Sequence, residues 1–254
     1  MGGDDLRIGP ALFELHGLGD RLAPGSERST RRALAAVPEL ETRRRVVDLG
    51  CGTGASTLTL AEGLSDEAEI IAVDVHPPYI QRLRGRVRAA GVEGKVVPRV
   101  ADMRALGIRP ASVDLVWAEG SLYTVGFANG CDLCRRLLVP GGVVGFSELA
   151  WLVPSPRPAA SAYWAEQYPA MRSREEIVDG LADHGYRVLD AFVLPRADWE
   201  GYYAALLDRI VVFARRRQDE AARAAIDLTR AEIDTFERFG DDYGYLFVVA
   251  SYAV

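Results

Sequence analysis

The sequence predicts an α/β fold: a seven-stranded, mostly parallel sheet with helices on both faces, an antiparallel last strand and helical insertions forming a cap. Three observations predict it. Short apolar runs alternate with helical patterns along most of the chain. The early connections are helices long enough to cross between parallel strands with right-handed turns. A glycine-rich turn, Gly50-Cys51-Gly52-Thr53-Gly54, directly follows the first apolar run and precedes a helix.

Taken in order, the strand candidates are Arg45–Leu49, Glu69–Asp74, Lys95–Ala101, Val113–Ala118, Gly142–Ala150, Tyr186–Leu194 and Tyr245–Ala253. Between the first two, Ala55–Leu64 starts a helix at the glycines. Pro77–Ala90 has proline in its first turn, carries Ile80, Leu83 and Val87 on one face, and stops at Gly91. Ser173-Arg174-Glu175-Glu176 reads as a capping box before Ile177 and Leu181, and that helix ends at Gly185. Two insertions interrupt the alternation. Trp151–Arg172 is rich in proline and aromatic residues, and the stretches from about Asp198 to Arg217 and Asp219 to Phe239 repeat apolar residues at helical spacing.

With 254 residues, 49% of them hydrophobic, the chain can bury one sizeable core and lies near the size at which single cores stop growing. A single elaborated domain over residues 1–254 is expected, with a core at about 28–150 and the insertions at about 151–172 and 198–239. Charged residues make up 26%, mean hydropathy is zero and no run of eighteen apolar residues occurs, which excludes disorder and argues against a membrane partner. The opening residues Met1–Asp5 are acidic and lack an apolar run, so a cytoplasmic location is the expectation. A net charge of −6 opposes the counterion-release term that drives nucleic-acid binding. Cys131 and Cys134 lie one helical turn apart without a second ligand pair, so no metal site is expected.

The glycines let the backbone turn sharply and approach a ligand closely. Alone they also satisfy a loose dinucleotide fingerprint, Gly50-x-Gly52-x-x-Ala55. Asp74, at the end of the second strand, can accept hydrogen bonds from the ribose hydroxyls of any adenosine. Asp48 separates the readings. A carboxylate two residues before the first glycine would repel a pyrophosphate and suits a ligand bearing an ammonium and a sulfonium.

At these residues the chain resembles the class I S-adenosylmethionine (SAM)-dependent methyltransferases. Val46–Gly54 is similar to their first motif, Asp74 to their ribose acid and Ala101-Asp102-Met103 to their adenine-binding motif. Val113–Glu119 resembles their fourth-strand motif, and Leu137–Gly142 the turn before the fifth strand. The resemblance covers about Arg45 to Glu148 in the family's order. It implies a Rossmann-like fold and SAM as methyl donor, with S-adenosylhomocysteine (SAH) as product. It places Asp48, Gly50, Cys51, Gly52, Gly54, Asp74, Val75, Ala101, Asp102, Met103 and Glu119 at the cofactor. Asp102 would accept the adenine amino group, and the Met103 amide would meet a ring nitrogen.

Methyl transfer needs alignment and dryness more than a universal catalytic residue, and a base matters only when the acceptor must lose a proton. The catalytic candidates are Glu119, Glu148 and His16, with Tyr123 beside them. Glu119 could instead orient the methionine ammonium or satisfy a helix N-terminus. Trp151, Trp164 and Tyr168 either wall an acceptor pocket, where a small organic molecule or a methylammonium would bind, or pack the insertion onto the sheet. Tyr243 and Tyr245 either approach the same lid or belong to a surface turn. The expected partner is a small-molecule methyl acceptor, and the helical hairpin offers a surface for a homodimer. Two further readings stay open: a SAM-binding regulatory or scaffold protein without turnover, and, well behind it, a nicotinamide oxidoreductase.

Overall fold

The structure, a computed structural model, describes residues 5–253. Its strands are β1 (Arg45–Leu49), β2 (Glu69–Asp74), β3 (Val96–Val100), β4 (Val113–Glu119), β5 (Leu138–Trp151), β6 (Arg172–Ser173), β7 (Tyr186–Val193) and β8 (Tyr243–Tyr252). They form one sheet in the order β3-β2-β1-β4-β5-β8-β7, with β6 pairing off this path against the end of β5. Every pair from β3 to β5 is parallel, and β8 runs antiparallel to both β5 and β7. The expected seven-stranded path is present. The two-residue β6 was not foreseen, because a strand that short shows no periodicity.

The helices are α1 (Asp5–Gly17), α2 (Glu27–Leu34), α3 (Ala55–Gly63), α4 (Pro77–Ala90), α5 (Phe127–Leu137), α6 (Pro158–Gln167), α7 (Arg174–Asp183), α8 (Arg196–Arg216) and α9 (Glu220–Phe239). Local chemistry sets many of their ends. Ser26 caps α2, Ser173 and Glu176 close a reciprocal capping box on α7, and Asp219 caps α9. Gly91 ends α4 in the left-handed conformation at φ 69°.

The sheet separates two apolar layers through the alternation of its strands. Val46, Leu115, Trp117, Phe247 and Val249 face the layer containing α3, α4, α8 and α9. Val47, Leu49, Val116, Ala118, Phe146 and Val248 face the layer of α5 and α7. Both layers are built of buried apolar side chains, and the sheet between them carries the loops at its carboxyl ends.

The insertions do form a cap. Arg157 pins the lid to the foot of β8, donating from its backbone N, Nε and Nη2 to the Asp242 carboxylate at 2.8, 2.8 and 2.9 Å. Trp164 meets Tyr243 edge-on at 5.0 Å, and Trp151 does so at 6.4 Å. From the hairpin, Trp199 stacks on Phe236 at 4.8 Å and on Tyr245 at 5.2 Å. The surface-turn reading of Tyr243 is therefore corrected. Tyr243 is fully buried and opens β8 because Trp151 of β5 offers it a partner. Among the described residues no helix is long and apolar enough to cross a membrane.

Candidate active site

A cleft of about 740 Å³ opens over the carboxyl ends of β1, β2 and β4 and runs beneath the cap. That is where a ligand site is expected in an open parallel sheet. The glycine turn forms its floor. Gly50, Gly52 and Gly54 all have positive φ, at 69°, 55° and 89°. The turn is tied down by Cys51 N donating to Val73 O and Gly54 N to Cys51 O, each at 2.9 Å. A Cβ on Gly50 would lie 2.4 Å from that of Ser121, whose hydroxyl donates to Leu49 O at 2.6 Å. Both conformation and space thus require glycine there.

Asp74 stands at the rim of the turn. Its carboxylate accepts from Gly52 N at 3.0 Å and His76 N at 2.8 Å, and burial pushes its pKa up. The Asp74 carbonyl accepts from Ala101 N at 3.0 Å, bringing the second and third motifs together. Val75, Ala101, Asp102 and Met103 line the same end of the cleft, and Val75 is 64% exposed. Asp102 is held by Arg104 through its N, Nε and Nη2 at 2.9, 3.0 and 2.6 Å, which lowers its pKa to about 2.

Asp48 does not line this cleft, which corrects its placement at the cofactor. It is fully buried behind the turn, where Oδ2 accepts from Thr57 Oγ1 at 2.6 Å and Ser56 Oγ at 3.1 Å. Its Oδ1 has no partner among the described residues. Burial pushes its pKa up to about 7. Its influence on the turn runs through the first residues of α3. Gly54 likewise faces α4, its missing Cβ space filled by Leu83, and shapes the turn from behind.

Glu119, at the end of β4, lines the cleft but is already engaged. It accepts from Arg21 Nη1 and Thr30 Oγ1 at 2.7 Å and from Trp117 Nε1 at 3.0 Å. These bonds anchor a strap, Asp20–Pro24, that crosses the glycine turn. Thr53 Oγ1 donates to Asp20 O at 2.7 Å, Tyr202 Oη to Leu22 O at 2.9 Å and Arg209 Nη1 to Arg21 O at 3.0 Å. Glu119 is therefore a positioning residue. This strap lines the cleft, and the Ser26 cap of α2 follows it.

His16 does line the cleft, from the end of α1. Its Nδ1 lies 2.8 Å from Tyr202 Oη, and burial lowers its pKa to about 4, leaving a neutral imidazole at physiological pH. Glu148 does not line the cleft. Strand alternation puts it on the α5 side of β5, with Phe146 and Ala150, while its neighbour Leu149 faces the cleft. What reaches the cleft is Tyr168, whose hydroxyl donates to Glu148 Oε1 at 2.6 Å and whose ring meets Tyr123 edge-on at 5.8 Å. Glu148 is thus corrected from direct base to buried support. Both readings of the aromatic lid hold in part: Trp151 only packs, whereas Trp164 packs and lines.

Burial pushes Glu148, like Asp48, up to about 7. Both folded values exceed the ordinary carboxylate pKa of about 4, so the folded state keeps protons that the unfolded chain releases. Stability present below pH ~4 is then lost as pH rises towards 7, and it levels off above. Asp102 and Asp242, whose values are lowered, titrate below this window. Neutral His16, its pKa lowered to about 4, acts in the opposite sense below about pH 6.5, so the melting temperature is expected to fall between about pH 6.5 and 8. Glu148→Gln, which still accepts from Tyr168, is expected to raise it at about pH 8, by roughly 2–4 °C per kcal/mol recovered. Thermal denaturation followed by circular dichroism checks both, and a flat wild-type profile would reject the assignment.

Sequence reading missed Glu232, Tyr202 and the strap. Glu232 sits on α9 three residues after Thr229 and four before Phe236, both buried, so helical spacing already turned it inward.

Residues 46–142 match the family model described as a methyltransferase domain. The 27-O-demethylrifamycin SV methyltransferase of Amycolatopsis mediterranei is 30% identical over 56% of this chain and 52% of its own length. The dimethylglycine N-methyltransferase of Parasynechococcus marenigrum is 30% identical over 58% and 51%. The chain thus spans about half the length of these curated relatives. Among solved structures, a SAM-dependent methyltransferase of Geobacter sulfurreducens in complex with SAH superposes with a TM-score of 0.80 at 19% identity, covering 96% of this chain and 97% of that one. A SAM-dependent methyltransferase of Thiobacillus denitrificans, also in complex with SAH, gives 0.79 at 22% identity over 98% of each. Residues 46–142 are therefore similar to a methyltransferase domain, and the chain shares the fold of these two SAH-bound proteins.

Proposed function

We propose that the protein transfers the sulfonium methyl of SAM to a small-molecule acceptor by in-line displacement. The observation that carries this reading is the continuity of the cleft. One cavity runs from Asp74 and the glycine turn to an aromatic chamber under the cap, lined by Tyr123, Tyr168 and Tyr245. A binding protein without turnover needs only the first end. The volume falls within the roughly 300–1,000 Å³ of small-molecule pockets.

The residues present fit the cofactor. Asp74 offers its carboxylate to ribose hydroxyls while it braces the turn. Exposed Val75 and Met103 offer apolar surface to a purine face, and Asp102 offers an acceptor to its amino group. Gly50 and Gly52 allow the methionine portion to approach the backbone, beneath the strap held by Glu119. When bound, the sulfonium supplies an electrophilic methyl group. The chain's own contribution is alignment and exclusion of water, by the cap from above and the strap from the side.

Calorimetry with SAH tests the donor half, and conversion of SAM to SAH with separate panels of hydroxyl, amine, thiol and carbon nucleophiles tests the acceptor half. Saturable SAH binding with turnover on one panel is expected. Binding of NADH in place of SAH would overturn the donor assignment. SAH binding with no turnover on any panel would favour the regulatory or scaffold reading.

A further inference from the structure

The chamber under the cap holds an acidic group that the cofactor end does not use. Glu232 projects from α9 into the cleft, where Tyr123, Tyr163, Trp164, Trp199, Tyr202 and Tyr245 also line the wall. Tyr203 Oη donates to Glu232 Oε1 at 2.8 Å. Among the described residues, Oε2 has no hydrogen-bond partner, and no lysine, arginine or histidine forms an ion pair with either oxygen.

The cationic side chains of the cleft are committed elsewhere. Arg21 is paired with Glu119 at 2.7 Å and Arg104 with Asp102 at 2.6 Å. His16 is neutral. The tyrosines around Glu232 are neutral, their pKa values raised by burial, and none supplies a counter-ion. A carboxylate enclosed by aromatic faces and short of one donor is a poor place for an anion or a neutral hydrocarbon. It suits an alkylammonium, which gains a hydrogen-bonded counter-ion together with several ring faces.

We infer that Glu232 and the surrounding rings form the acceptor subsite, and that this subsite selects a protonated aliphatic amine. The inference rests on the proposed methyl transfer and narrows its acceptor class. Burial pushes the Glu232 carboxyl up, which brings it closer to an amine in proton affinity. Before transfer, the bound ammonium gives its N–H proton to Glu232. The carboxylate becomes a carboxyl, and the nitrogen lone pair is freed to attack. Glu148, also nearby, is held behind Tyr168 and does not meet the ligand.

The test uses dimethylethanolamine, protonated at neutral pH, and isopentyl alcohol, its uncharged carbon isostere. Both are titrated into the full chain with and without SAH, reading tryptophan fluorescence and heat. The wild type is expected to bind the ammonium at least about tenfold more tightly than the isostere. Glu232→Gln keeps the size of the side chain and its bond from Tyr203. It is expected to weaken ammonium binding by roughly ten- to a hundredfold, to abolish the preference and to leave SAH affinity unchanged. Equal binding of the two probes, no saturable binding of the ammonium, or a preference surviving in Glu232→Gln would each overturn the inference. A loss of SAH binding in that variant would assign Glu232 to the donor instead. Should SAH fail to bind the wild type while the ammonium preference persists, the donor assignment falls and the subsite stands.

Discussion

Trp117→Ala is expected to destabilise the protein by about 3–5 kcal/mol, the range for removing a large buried aromatic side chain. For a chain of this length that corresponds to a fall of roughly 6–20 °C in Tm. Trp117 is fully buried on β4. Its ring lies 5.5 Å from that of Phe247 on β8 and covers Gly145 of β5, where a Cβ would come within 2.4 Å of Trp117 Cζ3. One side chain thus fills the space over three strands, and the neighbours are too rigid to close the void. The substitution also removes the Nε1 donor to Glu119, the anchor of the strap. SAH affinity should therefore fall in the folded fraction as well. Trp117→Phe keeps most of the packing and loses only that donor, so its Tm should fall less while the affinity loss remains. Differential scanning calorimetry and SAH titration measure both. A loss below about 1 kcal/mol in the alanine variant would mean that the strands close over the void.

Asp74→Ala is expected to lower SAH affinity by about ten- to a hundredfold or more, since a hydrogen bond to a charged acceptor is worth about 1.5–3 kcal/mol. Two effects add. The ribose loses its acceptor, and the amides of Gly52 and His76 lose theirs, which loosens the turn against which the ligand rests. Asp74→Asn keeps one acceptor oxygen and should fall between alanine and wild type. Calorimetry with SAH is the measurement, and unchanged affinity in the alanine variant would remove Asp74 from the site.

Much of the fold was legible because its signals are local. Strands β1 and β2 and helix α4 begin and end where the sequence places them. In each case the boundary is set by a charged or turn-forming residue beside an apolar run, or by Pro77 and Gly91. Strand β5 runs further than the reading gave, from Leu138 instead of Gly142. It does so because β4 offers Leu138 a partner at Val113 across a register shift. Pairing across strands is invisible in a single segment, and it also draws Tyr243 and Gly244 into β8.

The same division governs the site. The glycine turn, Asp74 and Asp102-Met103 could be read from sequence, because one strand end and the turn after it position them without help from the rest of the chain. Asp48 and Glu148 share that local character, yet they face away from the cleft. Alternation along a strand decides which sheet face an acid occupies, but only the layers packed on that face decide whether it meets ligand or core. The sequence by itself determined the fold class and the positions of the glycine turn and of the acids that follow it at the strand ends. Tertiary structure alone decided that the Asp20–Pro24 strap, the lid and the hairpin converge on one chamber, and that Glu232 enters it with a hydrogen bond from Tyr203 and, among the described residues, no counter-ion. Those contacts join residues as far apart as Arg21 and Glu119, or His16 and Tyr202, and they exist only once the sheet has brought the insertions together.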